Sequence, residues 1–183
     1  MTSSQTVGPF FHVALIRGLE TLFGPDTVGE RIALEGCVTD GAGEPVPDAM
    51  IEIWQADAGG RYPAGDDAGA DPTFRGFGRS RTDRHGRYAF ATVFPGPVPD
   101  DRGDLQAPHV LVAVFARGLL HHLITRAYFA GHPLNQTDPV LLSIEDRPLR
   151  DTLVATMVNA TAPRTFRFDI ALQGDRDTVF FDV

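Results

Sequence analysis

Apolar side chains in this chain alternate with polar ones over short runs, and clusters of Asp, Gly and Pro cut the runs apart. A period of two residues is the signature of a strand with one face buried, because successive side chains point to opposite sides. Arg31–Thr39 places Ile32, Leu34 and Val38 on one face, and Asp40-Gly-Ala-Gly-Glu44 then reads as a turn. Residues 49–55 form a second run, with Ile51 and Ile53 on one side and Met50 and Trp54 on the other. Residues 78–82 and 87–93 flank Asp83-Arg-His-Gly86, which predicts a hairpin. After the Pro-rich 95–99 and a polar loop come strands over 109–116 and 119–129, joined at Arg117-Gly118, and then over 166–172 and 178–183. Helical spacing is confined to 12–22 and 149–158. Strands without intervening helices exclude a parallel, crossover-built sheet. The expected fold class is all-β: an antiparallel β-sandwich or barrel-like core with short peripheral helices. Residues 1–183 read as a single domain, with 1–29 as an N-terminal arm carrying a short helix and 30–183 as the β core.

Composition narrows the partners. A net charge of −8 makes nucleic acid and anionic membrane surfaces poor ligands. The single Cys37 excludes an internal disulfide, which favours the cytoplasm. No apolar run reaches the roughly 18 residues of a membrane span. Gly8, Pro9 and His12 interrupt the apolar 7–16, and no basic segment precedes it, so it does not read as a signal peptide.

Few residues carry an obvious chemistry. His109 and residue 111 share one face of their strand, where a His-x-His pair would offer two imidazoles to one metal, but residue 111 is Leu. His109 therefore reads as a structural histidine with a local hydrogen bond. His121 and His122 would point to opposite faces of a strand, and His12, His85 and His132 lack ligand spacing. The pairs Asp66-Asp67, Asp100-Asp101 and Glu145-Asp146 fall in polar loops and read as solvated. Trp54, Phe90, Phe94, Phe115 and Phe129 read as packing residues. The Gly- and Asp-rich 56–78 is long for a connection, and such loops often line sites.

Six short motifs occur in order: Ser4-Gln-Thr-Val-Gly-Pro-Phe10, Glu52-Ile-Trp-Gln-Ala-Asp57, Gly76-Phe-Gly-Arg79, Phe94-Pro-Gly-Pro97, Phe115-Ala-Arg-Gly118 and Thr125-Arg-Ala-Tyr-Phe129. With them the chain resembles the intradiol ring-cleavage dioxygenases, in particular the protocatechuate-cleaving branch, from residue 3 to its end. The resemblance implies a mostly β fold and a heteromer of two homologous subunit types, with a small aromatic acid as substrate. It also implies a non-haem Fe(III) held by two Tyr phenolates and two His imidazoles of one subunit type. Hard anionic oxygens suit a ferric ion, and imidazoles complete its shell without adding charge.

Carried over position by position, three of these four ligands are missing. The first Tyr would fall within 66–70, where there is none, and Tyr62 matches a different tyrosine of the family. Val98 stands at the second Tyr position, and Leu111 replaces one His, leaving His109 as a vestigial ligand. The resemblance is thus to the iron-free α type, with the iron in a homologous β subunit and this chain inactive alone. It implies that the chain forms one wall of the substrate pocket through Thr6, Gly8, Pro9 and Arg117. A compact Gly8-Pro9 backbone can approach an aromatic ring closely, and a permanently charged Arg117 suits an anionic dihydroxybenzoate. Two rivals are a non-catalytic β-sandwich interaction module that has lost the pocket, and a stand-alone enzyme with an unrecognised metal shell.

Overall fold

β1 (Arg31–Thr39) is the axis of one sheet. Its alternation puts Ile32, Leu34 and Val38 inside, each at most 1% exposed. Gly36 lies in the same inward row because the Phe168 carbonyl occupies the space a Cβ would need, and the Tyr88 hydroxyl donates to that carbonyl at 2.5 Å. β1 pairs antiparallel with β4 (Arg87–Val93) on one side. On the other it pairs parallel with β10 (Arg164–Arg167) and then β11 (Ile170–Ala171). The strand expected over 166–172 is therefore split in two. At the break the Asp169 carboxylate, not a backbone carbonyl, accepts the Cys37 N–H at 2.9 Å.

The computed structural model describes residues 18–63, 69–174 and 177–182. Among these, β9 (Val154–Asn159) extends the first sheet to the order β4-β1-β10-β9. The second sheet runs β8-β7-β2-β3, from β2 (Met50–Gln55), β3 (Phe77–Arg81), β7 (His109–Phe115) and β8 (Leu123–Phe129). The two halves join where β8 pairs parallel with β9 at Tyr128 and Phe129. At the opposite edge the chain just before β1 closes the gap between β3 and β4. The Arg79 amide donates to Leu19 O at 3.0 Å, while the Ala91 amide donates to Glu20 O at 2.8 Å. Gly78 lets that segment pass, since a Cβ there would meet the Leu22 side chain at 2.6 Å. The result is a mostly antiparallel sandwich that nearly closes into a barrel, as the alternation predicts.

Between the sheets lies one apolar cluster, to which β1, β2, β4, β7, β8 and β10 contribute Leu34, Ile53, Phe90, Val112, Phe129 and Phe166. Phe129 is fully buried against Phe94 and Phe166, with ring centroids 4.6 and 4.9 Å away. A smaller cluster of Ala107, Tyr128, Leu141 and Leu153 lies under the short helix α1 (Pro139–Ser143).

Four connections share one device. In each, an Asp side chain accepts two backbone N–H groups two and four residues on, and a Gly three residues on takes positive φ. Asp40, Asp57, Asp83 and Asp100 do this with Gly43, Gly60, Gly86 and Gly103. Asp100 is thus a turn-forming acid rather than a merely solvated one, and Asp146 caps α2 (Arg147–Asp151). The Asp83–Gly86 turn forms, but its flanking strands diverge: β3 pairs with β2 and β4 with β1, so the expected hairpin is a corner between sheets.

Of the helix expected over 12–22, residues 12–17 lie outside the described set, and 18–22 hold bends and a bridge at Thr21 rather than helix. The helix expected over 149–158 is corrected. Over 149–158, α2 stops at Asp151, where the Thr152 hydroxyl donates to Leu149 O at 2.6 Å, and β9 begins. β-Branched Val154, Thr156 and Val158 favour the strand. Residues 119–122 form a turn and loop before β8, and 178–182 contribute a single bridge, Phe181 to Ile124.

Candidate functional site

The two stretches expected to frame a site, the loop after β2 and the Pro-rich segment after β4, meet at Asp57. Its carboxylate is 3% exposed and accepts the amides of Gly59, Arg61 and Asp71, so both ends of the loop are pinned to one residue. Its carbonyl accepts the Gly96 amide at 2.8 Å. Val98 follows in β5 (Val98–Pro99), which pairs with β6 (Leu105–Gln106), where Gln106 faces it.

β7 has two faces. Val110, Val112 and Val114 point into the sandwich and are at most 1% exposed, while His109, Leu111, Ala113 and Phe115 face outward. In this outer row Leu111 stands between Trp54 of β2 and Arg126 of β8. Trp54 stacks on Tyr62, centroids 6.2 Å apart and planes 6° from parallel. His109 lies 5.5 Å from the Tyr128 ring and is 5% exposed. Its Nδ1 is 2.8 Å from the Ala107 carbonyl. A carbonyl only accepts, so Nδ1 carries the hydrogen and Nε2 keeps a lone pair. Burial pushes the His109 pKa down, helped by the charge of Arg126, so the ring is neutral.

The segment entering β7 is positioned by Asp138, which is 0% exposed and caps α1. Its carboxylate accepts the amides of Val140, Leu141 and Ala107 and the Tyr128 hydroxyl, the last at 3.2 Å. Arg126 donates to Gln106 Oε1 at 2.6 Å and contacts the Tyr128 hydroxyl at 3.4 Å. Neither Asp138 nor Arg126 stands out in the sequence reading as a site residue. The Asp138-Pro139 pair, an N-cap followed by proline, and a lone charge in the apolar β8 were the available signals.

These residues do not fit a ferric ion. Val98 and Leu111 carry no donor atom, and His109 offers one nitrogen. The Tyr62 phenol is pushed up by burial, and that of Tyr128 is held further up, so neither ionises readily. Among the described residues no three His, Cys, Asp or Glu side chains converge. The charge of Arg126 also opposes a cation there.

Arg117 lies at the other end of β7, eight residues from His109 and thus roughly 26 Å away at about 3.3 Å per residue. Its side chain is 66% exposed and meets Asp48 at 3.6 Å. Thr6, Gly8 and Pro9 fall outside the described residues. His121 and His122 lie in the loop before β8, where His122 stacks on Phe115 at 5.1 Å. Trp54 and Phe115, read as packing residues, lie on the outer face, whereas Phe90 and Phe129 are buried in the core. A cleft of about 690 Å³ opens elsewhere, beside Glu35, Cys37, Arg87 and Arg167. Its one thiol, Cys37, is pushed up by burial and by Asp169, which disfavours the thiolate.

A family model described as "Dioxygenase" matches residues 8–174. The chain belongs to the intradiol ring-cleavage dioxygenases, an oxidoreductase family that uses non-haem iron. Within that family it is 41% identical to the protocatechuate 3,4-dioxygenase alpha chain of Pseudomonas putida, covering 99% of this chain and 96% of that one. The beta chain of Burkholderia cepacia is 35% identical over 81% of this chain and 67% of its own length. A solved dioxygenase domain from Streptomyces sp. SirexAA-E superposes with a TM-score of 0.66 at 26% identity, covering 95% and 96% of the two chains. No helix among the described residues is long and apolar enough to cross a membrane.

Proposed function

We propose that this chain is the iron-free α-type subunit of a cytoplasmic heteromer that adds both atoms of O2 to protocatechuate, giving 3-carboxy-cis,cis-muconate. The observation that carries this reading is full-length similarity to an alpha chain, combined with a donor set that does not fit iron. A homologous β-type partner would hold the Fe(III), and similarity to a beta chain supports that pairing. The chain would act as one domain.

The chain's own part is to hold and orient the substrate. Arg117 supplies a charge at a strand end, and its exposed contact with Asp48 is weak enough for a substrate carboxylate to replace. Thr6, Gly8 and Pro9 would complete the wall against the aromatic ring. Fixing the carboxylate orients the diol and raises its effective concentration at the partner's metal.

Co-expression with a homologous β-type chain tests the reading. A coloured complex that contains iron and turns over protocatechuate, beside a colourless and inert chain when expressed alone, is the expected result. A chain that is coloured and active alone would establish the stand-alone enzyme instead. A complex without iron or turnover would leave the interaction module.

A further inference from the structure

The cleft beside the Asp83–Gly86 corner is floored by two cross-strand rows on the outer face of the first sheet. In one row Asp169 stands beside Cys37, Cys37 pairs with Arg87, and the Arg87 carbonyl accepts the Asp83 amide at 2.9 Å. In the other, Arg167 pairs with Glu35 and Glu35 with Ala89. Arg81 completes this second row, because Arg81 and Ala89 each lie further from the corner than Asp83 and Arg87 and on the same face. From one side to the other, the first row reads Asp, Cys, Arg, Asp, and the row beside it reads Arg, Glu, Ala, Arg.

These charges leave each other largely unpaired. Among the described residues Arg81 and Arg87 make no ion pair, and Arg167 meets Glu35 only at 3.5 Å. Asp83 and Asp169 each use one carboxylate oxygen on backbone amides and leave the second unbonded. Cys37 and Ala89 are short, so the middle of the face is a hollow between longer side chains, within a cleft of about 690 Å³.

A face with this order of charges matches a copy of itself. A two-fold axis running along the rows, midway between them, sets each row against the other row of the second copy. Arg167 then faces Asp169 and Arg81 faces Asp83, each pair occurring on both sides of the axis. Glu35 faces Cys37, one strand spacing from Arg87, and the long Arg87 side chain enters the hollow over Ala89. A two-fold along the strands would instead set Arg167 on Arg81 and Asp169 on Asp83, opposing like charges. We propose that this cleft is a self-complementary contact between two copies of this chain, held by Arg167–Asp169 and Arg81–Asp83 pairs and by Arg87 seated over Ala89. Such pairs fix orientation and partner more than raw affinity, and salt screens them.

Sedimentation equilibrium of the purified full chain tests the contact. A monomer–dimer equilibrium with a Kd of roughly 10–100 μM is expected at about 50 mM salt, and one at least about tenfold weaker at about 0.5 M. R167Q should weaken the dimer about threefold or more, and so should D169N, which keeps an acceptor for the Cys37 amide. Position 89 reports the arrangement, and because Ala89 is exposed its variants leave the fold intact. Ala89→Glu meets Arg87 of the second copy and should tighten the dimer at least about threefold, while Ala89→Arg should weaken it by a similar factor. Association governed only by the net charge of −8 would give the opposite order. The contact uses neither Arg117 nor an iron-bearing partner, so each outcome stands apart from the heteromer proposed above. A chain that stays monomeric up to about 1 mM, a Kd indifferent to salt, or an Ala89→Arg dimer tighter than the Ala89→Glu dimer would overturn the proposal.

Discussion

The two faces of β7 obey different rules. Toward the sandwich, Val110, Val112 and Val114 fill a core shared with Ile51, Ile53 and Phe129, and each is interchangeable in kind with its neighbours. Toward the outside, His109, Leu111 and Phe115 make contacts that depend on particular partners: Ala107, Arg126 and His122. The inner face specifies the fold and tolerates little change of polarity. The outer face carries particular contacts instead, and there Leu111 offers no donor atom beside His109.

That contrast breaks most sharply at adjacent residues. Val112→Asp should destabilise the chain by more than about 4 kcal/mol, because it buries a carboxylate without a partner. Ala113→Ser, one residue on and facing out, should stay within about 0.5 kcal/mol. Urea denaturation of the two variants measures the difference; comparable losses would mean that the two faces are not distinct.

Asp138 ties the outer face to the scaffold, so its loss should rank second. Asp138→Ala removes one carboxylate from three amides and the Tyr128 hydroxyl, at an expected cost of about 3 kcal/mol. Asp138→Asn keeps the shape and much of the acceptor capacity and should cost about half that. Equal effects of the two would show that charge, not acceptor geometry, holds the entry to β7.

The same contrast explains what was legible in the sequence. Period-two alternation reports burial on one face, so β1, β2, β4 and β7 stand at or within one residue of their expected bounds. Alternation says nothing about which strand lies beside which. Hence the Asp83–Gly86 corner resembled a hairpin, and the split at Phe168-Asp169 was invisible, because a side-chain carboxylate replaces a backbone acceptor there. The helix expected over 149–158 failed because a five-residue helix and a strand in succession mimic one amphipathic segment. That Val98 and Leu111 carry no donor atom is legible directly, because it is a matter of residue type alone. The contacts of Arg126 were not, since its bonds to Gln106 and to the Tyr128 hydroxyl depend on how β6, β8 and α1 pack.

At the far end of β7, Arg117→Ala should weaken capture of protocatechuate by the heteromer by about 1.5–3 kcal/mol, the range for a hydrogen bond to a charged group. Steady-state kinetics with unchanged KM and kcat would remove Arg117 from the pocket. Because Arg117 is exposed, the same variant should leave the urea midpoint unchanged, in contrast to the Asp138 variants.

A smaller effect should appear with pH. Burial holds the folded-state pKa of His109 below its ordinary value of 6.5, and His132 shifts the same way. The unfolded chain therefore binds the proton first, and the stability contributed by the neutral rings is fully present above about pH 6.5 and declines as pH falls below it. In His109→Gln the decline between about pH 6.5 and 5 should be shallower, read from urea midpoints at several pH values. A slope identical to that of the unsubstituted chain would place the acid sensitivity elsewhere.

The smallest expected effect is none. Val98→Tyr with Leu111→His brings the outer face to one Tyr and two His, yet it should not bind ferric iron tightly. The first Tyr position, within 66–70, still lacks a phenol. Arg126 keeps a positive charge beside the new imidazole and disfavours a trivalent cation. Tyr62 and Tyr128 stay protonated because burial opposes their ionisation, and Tyr128 is already engaged with Asp138. Iron content after dialysis, with the visible absorption of a phenolate–iron bond as a second readout, measures the outcome. Stoichiometric retention would mean that the outer face needs only two restored donors, and that the division between scaffold face and chemical face is far shallower than the geometry of β7 implies.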